Sequence, residues 1–175
     1  MNLAVAPQLV RQVSVFGTGH LAMATRVELI RVGLHRDSDY QLPQLLAPLF
    51  IACTDLENDP TIAEVALRAS EARAPILFAC LTVPMVRIGP LVEPPDSNPS
   101  RIRHPRIPSS TAESASVAEP DLQTGICARV GGLLIAAQAL GFLQGARAQC
   151  VLGTRVEVYP LSIESKAYRV LKVRQ

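Results

Sequence analysis

Two glycines and an alanine that close a short apolar run, VSVFGTGHLA over residues 13–22, are the part of this sequence best placed for chemistry. Gly17 and Gly19 stand at the first two positions of a G-x-G-x-x-G/A loop, and Ala22 takes the third. In that pattern the first glycine permits a tight strand-to-helix turn, the second leaves backbone bare for a phosphate, and the small third residue lets helix and strand pack closely. These residues form the candidate cofactor-binding set, with Asp55 as its fourth member. Asp55 follows a second apolar run, FIACT at 50–54, at the carboxyl edge where parallel sheets hold ligands. A complete dinucleotide or ATP site also needs a second strand ending in a carboxylate for the ribose. Asp37 and Asp39 have the spacing, but HRDSDY at 35–40 is not preceded by a strand, and no Arg or Lys stands between Arg36 and Arg68 to clamp phosphates. The entrance of a nucleotide site is present without the part that completes it.

The remaining polar clusters each have two readings. Asp55, Glu57 and Asp59 precede Pro60, so they either face a ligand or place negative charge at a helix N-terminus. His20 stands at the start of a helix, as a catalyst or a solvent-facing cap. Arg101, Arg103, His104 and Arg106 form a basic cluster in a proline-rich stretch; Arg101, Arg103 and Arg106 are the candidate contacts for an acidic peptide or partner, against the reading of a solvated loop. Cys53, Cys80, Cys127 and Cys150 lie far apart in apolar settings with no C-x-x-C pair. They read as reduced core thiols, with no metal and no nucleophile expected.

The elements that must position these residues alternate. Residues 13–16 are β-branched and aromatic, a buried strand. Met23, Val27, Ile30 and Leu34 follow at the spacing of a helix face. Residues 50–54 make a second strand, Pro60 opens a helix through 61–72, and residues 76–83 supply a third strand. From 93 to 123 six prolines and a Ser-rich tract predict an irregular loop. A helix over 124–143 follows, with Gly131 and Gly132 to let it approach a neighbouring backbone and Gly145 to stop it. Segments 151–159 and 167–173 predict an antiparallel strand pair with a turn at 161–165. The expected fold is α/β and Rossmann-like: one domain over 1–175, a mainly parallel sheet covered by helices, and a C-terminal antiparallel pair.

Composition narrows the function classes. A net charge of +2 over 175 residues, with no basic stripe along a helix, gives no reason to expect nucleic acid. The longest apolar stretch, 130–143, is interrupted by Gln138 and is shorter than the roughly 20 residues a membrane span needs. No basic cluster precedes residues 3–6, and Pro7 interrupts that run, so neither a signal peptide nor a membrane partner is expected. The expected location is the cytoplasm.

Three stretches in this order, VSVFGTGHLA at 13–22, FIACTD at 50–55 leading to VRIGPLVEP at 86–94, and the 130–144 helix with the terminal strand pair, resemble the ThiF-like adenylating superfamily. The resemblance is strongest to the ThiF-like proteins that work beside YcaO-type cyclodehydratases in azoline-peptide biosynthesis. It implies a dimer or a complex with a peptide-modifying enzyme, and a precursor peptide as a further partner. Members often carry two Cys-x-x-Cys pairs that close a structural zinc site; DSNPSRIRHPR at 96–106 and KVRQ at 172–175 stand in their places. Active members bind ATP and magnesium, and Asp55 matches their later aspartate. The expectation is a shortened, zinc-less relative without a cofactor, acting as a non-catalytic partner. An active ATP-dependent adenylating enzyme and a small nicotinamide-dependent oxidoreductase are the alternatives.

Overall fold

The computed structural model describes residues 13–35, 48–56, 59–94 and 121–169. Glu57, Asp37, Asp39 and the arginines at 101, 103 and 106 lie outside the described residues, as does most of the predicted 93–123 loop.

The first strand, β1 (Val13–Phe16), enters helix α1 (His20–Arg31) through the glycine loop. Strand β2 (Leu49–Thr54) is followed by α2 (Thr61–Glu71) and β3 (Ile76–Thr82). Next come β4 (Met85–Val92), the long α3 (Leu122–Leu143), and the hairpin of β5 (Thr154–Tyr159) and β6 (Glu164–Arg169). One six-stranded sheet results, in the order β1-β2-β3-β4-β5-β6. Pairing is parallel from β1 to β3 and antiparallel from β3 to β6. The α/β character and the antiparallel C-terminal pair match the sequence-based expectation, and the sheet is mixed, its parallel part confined to β1–β3. Strand β6 begins three residues earlier than the spacing predicted, because the turn closes at 160–163.

Two apolar clusters divide the sheet. Val13, Val15, Leu49, Ile51, Cys53, Leu77, Val86 and Ile88 pack with Leu21, Leu29, Ile135 and Ala136, which puts α1 and α3 on one face. Phe16, Phe50, Ala52 and Ile76 meet Val65 and Ala69 of α2 on the other. The alternation within β1 and β2 follows from the period-2 geometry of a strand buried on both sides.

Helix α1 buries a different face from the one its apolar spacing suggested. Its covered residues are Leu21, Ala22, Thr25, Glu28 and Leu29, whereas Met23 is 59% exposed and Val27 is exposed as well. Two polar residues can face inward because they have partners. Cys53 Sγ donates to Thr25 Oγ1 at 3.6 Å, and Arg31 Nη1 donates to Glu28 Oε1 at 2.8 Å. Helix α3 meets α1 at Gly132, where an added Cβ would come within 2.7–2.9 Å of the backbone of Ala24 and Thr25. Gly131 packs under Leu21 and Val86. The small residues thus set the helix separation, as the sequence implied.

Candidate functional site

The carboxyl edge of the parallel strands gathers the glycine loop, the end of β2 and the starts of α1 and α2. Gly17 has φ 112°, and a Cβ there would collide with the carbonyl oxygen of Cys53, so the loop lies directly against β2. Gly19 has φ 99°, and a Cβ there would stand 2.5 Å from Asp55 Oδ2. Ala22 is fully buried against the sheet. The structure therefore brings Gly17, Gly19, Ala22 and Asp55 together, the first three through the fingerprint and Asp55 through its place at the carboxyl edge of β2.

Asp55 does not point into open solvent. Its Oδ2 accepts from the backbone N–H of His20 at 2.5 Å, and its Oδ1 from that of Leu21 at 3.0 Å. His20 Nδ1 stands 3.1 Å from the same Oδ2, and because an ionised carboxylate only accepts, the imidazole donates. The first N–H groups of a helix have no partner within the helix, and here a carboxylate more than thirty residues away in sequence supplies one. One of the two sequence readings of Asp55, Glu57 and Asp59 has them place charge at the helix after Pro60. Of the two aspartates only Asp59 does so: its Oδ1 accepts from Thr61 N at 2.9 Å and from Thr61 Oγ1 at 2.7 Å, while Asp55 caps α1.

A third aspartate completes the pattern. Asp121 Oδ1 accepts from Thr124 N at 2.7 Å and caps α3. That hydrogen bond, first among the causes, holds the Asp121 carboxyl below the usual range, and the nearby His20 adds to it in a minor way. Sequence reasoning missed this cap, although an aspartate three residues before the capped N–H is the local signal for one.

Among the described residues, the Leu34 carbonyl and two side chains meet the far side of β1. Val13 N donates to Leu34 O at 2.9 Å, and Val13 O accepts from His35 Nδ1 at 3.0 Å. Arg26 Nη2 donates to Val15 O at 3.2 Å and to Gly17 O at 2.8 Å. Since Ser14 and Phe16 alternate with these residues toward β2, His35 and Arg26 take the carbonyls that a further strand would use. Sequence reasoning missed both residues, whose roles depend on contacts made after the helix has folded back.

Burial acts on three of the four thiols. Cys53 is fully buried, and burial pushes its thiol up to about 12. Burial also raises Cys127 and Cys150. Cys53 and Cys127 are buried as expected, whereas Cys80 and Cys150 are partly exposed. Among the described residues no three Cys, His, Asp or Glu side chains come together in a group that could hold a metal. A cavity of about 530 Å³ opens at the opposite edge of the sheet, lined by Pro48, Pro75, Phe142 and the Arg147–Glu93 ion pair, remote from the glycine loop.

No family model matches the sequence, and no curated protein does either. Solved structures do match. The heterocyclase TruD superposes with a TM-score of 0.58 at 15% identity, over 91% of this chain and 26% of its own. MccB of E. coli gives 0.59 at 10% identity, over 91% of this chain and 62% of its own. This chain shares their fold. PaaA agrees, with a TM-score of 0.59 at 11% identity over 94% of this chain and 66% of its own. The chain thus spans about a quarter of the heterocyclase and under two thirds of MccB.

Proposed function

We propose that this chain is a non-catalytic ThiF-like component in the biosynthesis of a ribosomally made, modified peptide, acting beside a YcaO-type cyclodehydratase. The observation that carries the reading is the place of β1. In a nucleotide-binding sheet of Rossmann type the first strand is central, flanked on its far side by the strand that brings the ribose carboxylate. Here β1 is an edge strand among the described residues, and His35 and Arg26 hold its outer carbonyls. Structural neighbours that are peptide-modifying heterocyclases, and MccB solved with MccA, support the setting and a peptide partner.

The decisive experiment is reconstitution. A YcaO-type cyclodehydratase with its precursor peptide is expected to form azolines at least about tenfold faster when this chain is present, a barrier change near 1.4 kcal/mol. The chain alone is expected to give no ATP–pyrophosphate exchange with that peptide. Exchange by the chain alone would establish the adenylating alternative instead.

The surface of the α1/α3 layer supports a second copy or an enzyme subunit as the partner. Met23 and Val27 on α1, with Ile126 and Leu133 on α3, are exposed apolar residues on helices that pack against each other. Where exposed apolar residues on packed helices join into one patch, that patch is an interaction surface. Leu133, 58% exposed, is the residue to change. Leu133→Glu is expected to shift folding stability by no more than about 0.5 kcal/mol and to weaken self-association or enzyme binding at least about tenfold. Light scattering and co-purification read the two branches, and unchanged behaviour in both would remove this surface from the proposal.

A further inference from the structure

We propose that Asp55 is the resident anion of the glycine loop: its carboxylate occupies the place on the α1 N-terminus that a nucleotide phosphate takes in a G-x-G-x-x-G/A site. The fold family implies ATP there, and the residues present do not fit it. This deepens the non-catalytic reading above and rests on it.

The argument begins with what a phosphate would need. It would take its hydrogen bonds from the unsatisfied N–H groups of the first helical turn, across a glycine without a side chain. Both N–H groups that Asp55 engages, those of His20 and Leu21, belong to that turn. The bare face of Gly19 is occupied too, since a Cβ there would meet Asp55 Oδ2 and its carboxyl carbon at 2.5 and 2.8 Å. The glycine that would admit a phosphate admits the carboxylate instead.

The surrounding charges act in the same direction. His20, a donor to any anion at this point, already faces Asp55 Oδ2 at 3.1 Å. Arg26, the base that reaches the loop, is committed to the Gly17 and Val15 carbonyls. An incoming phosphate would have to displace a carboxylate that the fold holds in place without an association cost, and would then lie beside that negative group.

Thermal unfolding of wild type, Asp55→Ala and Asp55→Asn, in chloride and in inorganic phosphate at matched ionic strength, tests the idea. Asp55→Ala is expected to melt about 2–6 °C below wild type through loss of the cap. It should recover about 3–6 °C once phosphate stands tenfold above its dissociation constant, while wild type moves by less than about 1 °C. Asp55→Asn keeps an acceptor for Leu21 N and loses the charge, so it supplies the same comparison if the alanine variant does not fold. Equal shifts in wild type and variants would mean an adventitious ion only and overturn the proposal. A lack of response in every variant would overturn it as well, while leaving the non-catalytic reading intact. Micromolar binding of magnesium ATP to wild type, by calorimetry, would overturn both.

Discussion

Gly17→Ala is expected to cost about 4 kcal/mol or more, a large share of the roughly 5–15 kcal/mol that holds a domain of this kind together. Two effects add. The residue sits at φ 112°, where an L side chain is strained by about 1–3 kcal/mol. A Cβ there would also collide with the Cys53 carbonyl oxygen. That oxygen belongs to β2, whose six residues are all buried between β1 and β3, so the strand cannot retreat without opening the core on both faces. Gly33→Ala is the control, because Gly33 also has positive φ, at 74°, but nothing lies within 4 Å of its added Cβ. Its cost should be about 1 kcal/mol. Chemical denaturation of both variants measures the difference; equal costs would mean that the loop does not press on β2.

The same contact explains what the sequence could and could not say about function. The glycine fingerprint is visible in the chain because Gly17 and Gly19 are required, yet each requirement is met by the protein itself: Gly17 by the Cys53 carbonyl and Gly19 by the Asp55 carboxylate. A motif made of glycines records that something approaches the backbone, and does not record what. The partner of Asp55 was hidden for a related reason. Asp59 reaches a helix that starts two residues later, so its capping role is local and legible. Asp55 reaches α1 across the sheet, and only the parallel register of β1 with β2 delivers it there.

The fold was legible where chain punctuation is strong. Pro60 before α2, Gly145 after α3 and the β-branched run of β1 fix their elements within a residue or two. Strand β4 was not identified as a strand, since Gly89-Pro90 in its middle reads as a breaker. The structure keeps it extended because Gly89, at φ 96°, lets the Thr154 carbonyl of the neighbouring segment come close, where any side chain would collide. The α1 face was misassigned because Met23 and Val27 of its apolar period are exposed and Ile30 is partly so, whereas Leu34, the fourth member, lies beyond the helix end and is buried. Periodicity detects an apolar face, and a surface meant for a partner carries one just as a core does.

Gly132→Val is the second large effect expected, about 3 kcal/mol or more, and it bears on that surface directly. An added Cβ would approach the Ala24 carbonyl carbon to 2.7 Å and the Thr25 nitrogen to 2.9 Å. Both are backbone atoms in the middle of α1, so no side chain can rotate away and the helices must separate. Separation would uncover Leu21, Ala22, Ile135 and Ala136, all buried where the two helices meet the sheet. Gly125→Ala, in the same α3, has nothing within 4 Å of the new Cβ, and should stabilise the helix by about 0.5–1 kcal/mol through propensity alone. The opposite signs separate a packing requirement from a general intolerance of α3 to substitution. Because the crossing at Gly132 also fixes how Met23 and Val27 stand relative to Ile126 and Leu133, any Gly132→Val protein that still folds should lose partner binding, whereas Gly125→Ala should retain it. Denaturation midpoints together with co-purification decide the matter, and a Gly132→Val protein as stable as wild type would mean that α1 and α3 do not touch backbone to backbone.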